Sequence, residues 1–185
     1  FTYDKMDAAW NFINKIWNAS RYVIMNLDDH TPSTLPDLTQ LTLADKWILS
    51  RLNTTIDNVT RNFDKFEFGE AGRELYNFIW SDFADWYIEM TKETLNGDGD
   101  KTPVQQTLAY VLDQTLRLLQ PIMPFVTEAI WQEMPDQVGK DVDFSITRYP
   151  VVNEALHDEQ AESAFKSLQD LIVAVRNIRS EANAP

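Results

Sequence analysis

Asn14, Asn18 and Arg21 fall within about 60° of one another on a helix turning 100° per residue, and Asn11 and Tyr22 widen the same arc. Asn costs an exposed helix position on the order of 0.5 kcal/mol against Ala. Three on one face within eight residues therefore ask for a reason. A carboxamide offers a paired donor and acceptor to a base edge. A guanidinium binds a phosphate or a base bidentately, and a phenol stacks on an unpaired base. This is the chemistry of single-strand RNA readout. The competing reading is that the amides pair with neighbouring helices and fix how they pack. Residue types and spacing leave both open. Trp86 and Tyr87 pose a similar choice. Adjacent helical aromatics point about 100° apart, so one is expected in the core and the other nearer an edge. An edge aromatic serves either as a stacking platform or as ordinary packing.

Other suggestive spacings lead nowhere. Glu154 and His157 have the ExxH spacing of a bundle di-iron ligand pair, but such a site needs a second pair and two further Glu. The only other histidine, His30, has no Glu three residues before it. Asn96, Asp98 and Asp100 imitate the start of a calcium loop. Lys101 stands where that loop needs Gly, Thr107 where it needs Glu, and Pro103 intrudes. The chain has neither GxxxxGK[ST] nor GxGxxG, so ATP has no place to be assigned. Neither histidine has a context suggesting an activated nucleophile. No catalytic residue and no metal site is expected.

The elements that must position the polar arc are helical. Residues 4–27 form a first helix, with Met6, Trp10, Ile13, Trp17, Ile24 and Leu27 as its expected apolar stripe. Residues 28–42, with two prolines and four threonines, read as a loop. Thr42 is placed to cap a second helix, with Asp45 in the capping-box position, followed by Leu43, Trp47, Ile48, Leu52, Ile56, Val59 and Phe63. A third helix is expected over about 67–95, striped by Phe68, Ala71, Leu75, Ile79, Phe83, Trp86 and Met90. Gly72 is expected there to admit a close neighbour. NGDGD at 96–100 is a turn, and Thr102-Pro103 opens a fourth helix running to about 134. Its expected core includes Val104, Leu108, Val111, Leu112, Leu116, Leu119, Phe125, Val126, Ile130 and Trp131, and Pro121 and Pro124 must kink or split it. Residues 136–152 are loop-like, with a short strand expected at 144–149. A last helix covers about 159–181, striped by Phe165, Leu168, Leu171, Ile172, Val175 and Ile178. The fold class is all-α, an up-down bundle over 1–135 with an extension of loop, short strand and helix over 136–185.

The absence of cysteine excludes disulfides and thiolate sites and fits a reducing compartment. No apolar run approaches 18 residues, so no membrane partner is expected. The chain opens on Phe1 and stops at Pro185, which suggests a piece of a longer protein. A net charge of −13 argues against a polyanion, but the acidity is uneven. Residues 1–65 carry seven basic and eight acidic side chains, whereas residues 66–185 carry nine and twenty-one. RNA can approach the first third.

Five stretches together resemble one family: NKIWNASRY (14–22), LADKWILSRLN (43–53), FEFGEAGRELYNFIWSDFADWYIEMTK (66–92), LRLLQPIMPFVTEAIWQ (116–132) and AVRNIRSEANAP (174–185). In that order they are similar to the region after the catalytic domain in valyl-tRNA synthetases, which are class Ia enzymes. The ending EANAP departs from the more usual EMNVP-like one. The resemblance implies an anticodon-binding bundle that grips the stem-loop of tRNA(Val), joined to a catalytic domain of the same chain. It implies a cytoplasmic parent ligase using ATP and Mg²⁺, with no cofactor, no catalysis and no DNA partner for this segment. By motif position the RNA-contacting residues become Asn18, Arg21 and Trp86, with Asn14 and Lys15 as neighbours. The rivals are the matching region of an isoleucyl or leucyl enzyme, and a helical protein-interaction module without RNA.

Overall fold

The computed structural model describes residues 3–137 and 139–182, the side chains of residues 3–5 excepted. Among the described residues seven α-helices carry the architecture. They are α1 (Tyr3–Met25), α2 (Leu43–Asp64), α3 (Phe68–Asn77), α4 (Ile88–Asn96), α5 (Thr102–Leu119), α6 (Pro124–Gln132) and α7 (Glu159–Glu181). A π-helical segment, Phe78–Tyr87, joins α3 to α4 without a break. The described residues contain no strand. The segment expected as a strand at 144–149 holds a single 3₁₀ turn, Phe144–Ile146, opened by Asp143. The Asp143 side chain accepts from the Ser145 backbone at 2.9 Å, which turns the chain rather than extending it.

The second helix begins where its residues dictate. Thr42 and Asp45 form the full capping box. Asp45 is 1% exposed and does more than cap. One carboxylate oxygen accepts from the Thr42 backbone at 2.9 Å and the Thr42 hydroxyl at 2.7 Å, and the other accepts from the Tyr87 hydroxyl at 2.6 Å. The start of α2 is thereby tied to the end of the π segment. Burial, with the Asp45 carboxylate next in order, holds the Tyr87 phenol well above its ordinary range.

The π segment settles which of two aromatics is core. In a π-helix the hydrogen bonds run from i to i+5, and the buried positions step accordingly through Phe78, Ile79, Phe83, Ala84, Tyr87 and Ile88. Tyr87 is fully buried and Trp86 is half-buried at the edge. Gly72 differs from expectation. A Cβ added there would meet nothing within 4 Å. The position faces an open cleft between α1 and α3, lined also by Ala8 and Ala9.

The prolines split the fourth expected helix. After Leu119 the chain turns, and Pro124 restarts it as the first residue of α6, where a missing N–H costs nothing. Phe125, expected in the core, is 90% exposed. A buried charge cluster joins α5 to α6. Asp113, 2% exposed, accepts from Arg117 Nε at 2.7 Å, from an Arg117 terminal nitrogen at 3.0 Å, and from the indole N–H of Trp131 at 2.9 Å. The Arg117 guanidinium lies 5.9 Å from the ring centres of both Trp131 and Phe144. The extension is anchored to the bundle through the start of α7. Phe165 stacks on Trp47 with ring centres 3.9 Å apart, and the Ser50 hydroxyl donates to Glu162. Leu168 still packs half-buried against the core, and beyond it Leu171, Val175 and Ile178 are exposed.

Candidate nucleic-acid interface

The first helix packs on α5, α6 and the π segment. Its buried face is Ile16, Ala19, Ser20 and Val23, flanked by half-buried Phe12. That spacing of three, one and three residues is a helical stripe too, offset from the one expected. Ala19 and Ser20 at its centre are small enough to bring neighbouring helices close. Met6, Trp10 and Trp17 are exposed while Ile13, Ile24 and Leu27 are half-buried, so the bulkiest members of the expected apolar stripe of α1 lie at the surface. The tryptophans dominate any hydrophobic count, whereas the packing selects by shape.

With that face inward, the polar arc points outward. Asn11, Asn14, Asn18 and Arg21 are exposed, and none of these side chains has a hydrogen-bond or ion-pair partner among the described residues. The amides do not pair with neighbouring helices, which removes the packing explanation for three poor helix formers on one face. Tyr22 sits at the edge of the arc, with the Lys92 ammonium 5.6 Å from its ring centre.

Lys15 is engaged differently. Its ammonium bonds Asp85 of the π segment at 2.5 Å and lies 4.8 Å from the ring centre of Trp80. Trp80 in turn stacks on Tyr76 at 5.4 Å. This ladder of Tyr76, Trp80 and Lys15 beside α1 has no signature in the sequence, because only the π register brings Trp80 and Asp85 to the same side. Trp86 faces another neighbour. Phe165 meets its ring edge-on at 6.4 Å, and the Arg176 guanidinium lies 5.6 Å from its centre. Asn14, Asn18 and Arg21 form one continuous patch, with Lys15 on the flank toward the π segment. Trp86 contacts α7.

The remaining polar spacings are turns. Asp100 accepts from the Thr102 backbone at 3.0 Å, which holds its carboxyl below the usual range. Glu154 and His157 bracket a 3₁₀ turn, Glu154–Leu156, rather than sharing a helical face. Among the described residues no group of three His, Asp or Glu side chains is close enough to hold a metal ion, and no helix is long and apolar enough to cross a membrane.

The described residues thus form an all-helical bundle with an outward carboxamide and guanidinium face on α1. The anticodon-binding domain of tRNA ligases matches residues 45–185, and the chain belongs to that family. It is 64% identical to the valine–tRNA ligase of Lactiplantibacillus plantarum over 186 aligned residues, covering all of this chain and 21% of that protein. It is 61% identical to the valine–tRNA ligase of Latilactobacillus sakei and 56% to that of Enterococcus faecalis, with the same coverage. The chain therefore spans about a fifth of these relatives (21%). Its fold is similar to a part of LeuRS in the Agrobacterium radiobacter LeuRS–tRNA–LeuAMS ternary complex. The TM-score is 0.58 at 18% identity, over 82% of this chain and 17% of that one.

Proposed function

We propose that the chain binds the anticodon stem and loop of tRNA(Val) and holds it while the acceptor end reaches a catalytic domain of the same, longer polypeptide. The observation that carries this reading is the unpartnered outward arc of Asn14, Asn18 and Arg21, in a chain 64% identical to a valine–tRNA ligase segment. The amides read base edges and Arg21 takes a base or a phosphate bidentately. Lys15, neutralised in part by Asp85, adds local positive potential. Trp86, half-buried between Phe165 and Arg176, is the aromatic of this reading, for an unpaired base to stack on. Residues 1–135 form the gripping unit, and residues 136–185 begin the junction to the C-terminal part of the longer polypeptide. That ligase consumes ATP with Mg²⁺ to attach valine, in the cytoplasm. This chain has no phosphate-cradling loop and releases no pyrophosphate by itself.

The test is a titration of the chain with a valine anticodon stem-loop and with the same stem carrying a scrambled loop, at several salt concentrations. The valine loop is expected to bind more tightly. Affinity is expected to fall with salt at a log–log slope of about −2, as for two or three neutralised phosphates. Equal affinity for both loops, or salt-independent binding, would refute the reading. A salt-tolerant apolar groove is the mark of a protein-interaction module instead.

A further inference from the structure

Both lysines that flank the polar arc are held by a carboxylate. Lys15 bonds Asp85 at 2.5 Å. Lys92, its ammonium 5.6 Å from the Tyr22 ring centre, bonds Glu89 at 2.6 Å. Asp85 belongs to the π segment, which packs on α1, and Glu89 to the first turn of α4, which continues it without a break. The two contacts follow one another along α1. Lys15 and Tyr22 are about two turns apart, which puts the second lysine about 10 Å further along the same side. Arg21, by contrast, has no partner among the described residues. The pairs do little for the fold. Asp85 and Glu89 are exposed, and ion pairs as open as this contribute little to stability. What they change is the charge that a polyanion meets beside the arc.

We propose that Asp85 and Glu89 are autoinhibitory: they occupy Lys15 and Lys92, so an RNA phosphate gains either ammonium only by displacing a carboxylate, and affinity for any RNA backbone is held down. This rests on the RNA-binding reading of α1 and deepens it. An ammonium is a compact point charge that takes a phosphate whatever the base. Left open, the two lysines would bind RNA regardless of its loop. A carboxylate offers an ammonium the same charge-assisted hydrogen bond as a phosphate oxygen does, so the two compete for one place. The Glu89 hydrogen bond holds the Lys92 ammonium above its ordinary pKa, the sign of a partner that must be given up. The Trp80 ring, its centre 4.8 Å from the Lys15 ammonium, steadies that charge for either anion. Arg21 is left open, and its guanidinium recognises a base edge as well as a phosphate. Binding then depends on the arc, whose contacts must offset the displaced carboxylates. The same carboxylates retake the lysines as the RNA leaves.

The experiment is a double-mutant cycle on affinity at one salt concentration. The RNAs are the valine anticodon stem-loop and its scrambled-loop counterpart. The proteins are the chain, Asp85→Asn, Glu89→Gln and the two together, with Asp85→Asn repeated on Lys15→Ala. Asn and Gln keep the size of the side chain and remove its charge. Both positions are exposed, so neither change threatens the core, and a urea midpoint like that of the wild type checks this. Asp85→Asn is expected to tighten both loops about threefold, the worth of one exposed ion pair. The double variant is expected to tighten both about tenfold, because the pairs lie far enough apart to add. On Lys15→Ala, Asp85→Asn is expected to change nothing. Unchanged affinity in the folded double variant overturns the inference and leaves the RNA-binding reading standing. So does a tightening that persists on Lys15→Ala, which is the effect of bulk charge alone. If neither the wild type nor the double variant binds either loop, the RNA-binding reading falls as well.

Discussion

Replacing Asp113 with Ala is expected to destabilise the chain by about 3–5 kcal/mol, the cost of removing one partner from a buried ion pair. The carboxylate serves four donors at once: two nitrogens of Arg117, the side-chain amide of Gln114 and the indole N–H of Trp131. Deleting it leaves a guanidinium, its side chain only 18% exposed, to the Arg148 carbonyl at 3.4 Å, and strips a fully buried indole donor of its acceptor. Arg117 cannot swing fully into water without lifting off Trp131 and Phe144, whose rings it covers. Because Phe144 lies at the start of the extension, the same substitution is expected to loosen residues 136–152 as well as the α5–α6 joint. Urea unfolding checks this through its midpoint. A loss under about 1 kcal/mol would mean that the cluster relaxes around solvent instead of holding the two helices together.

The second large effect is expected at Arg21. Arg21→Ala should weaken binding of the valine anticodon stem-loop by about tenfold to a hundredfold, the worth of one bidentate guanidinium contact. It should change stability by less than about 0.5 kcal/mol, since the side chain is exposed and has no described partner. Lys15→Ala is the internal comparison. Lys15 is already committed to Asp85 and Trp80, so its loss is expected to cost affinity only severalfold and to reduce the salt slope by about one phosphate. An Arg21→Ala protein that binds as well as the wild type would remove the guanidinium from the site. One that unfolds would mean that Arg21 stabilises the bundle after all.

How much of this was legible in the sequence depended on whether a signal was local. The capping box of α2 is a four-residue pattern, and Thr42 and Asp45 show it fully formed. The split at Pro121 and Pro124 comes from a missing N–H and a ring clash, and α6 starts on Pro124. The last helix lies where its periodicity put it. The face that α1 buries was not legible, because two overlapping stripes exist and the choice depends on neighbours pressing from two sides. Tryptophan bulk favoured the stripe that stays exposed, whereas Ala19 and Ser20 give the close fit. The π register was also hidden. No residue in 78–87 signals an i to i+5 ladder, yet it decides that Tyr87 is core, that Trp86 is edge, and that Trp80 and Asp85 meet Lys15. The polar arc itself was read from spacing alone, and the structure supplied what spacing lacks: its direction and its want of partners.

The central claim is that the outward arc of α1 touches the RNA loop, and backbone amide shifts measure this residue by residue. The chain is titrated with the valine anticodon stem-loop and with its scrambled-loop counterpart. Shifts clustered around Asn14, Asn18 and Arg21, larger for the valine loop, are the expected result. Shifts confined to other faces of the bundle, or none at all from a folded sample at saturating RNA, would contradict it.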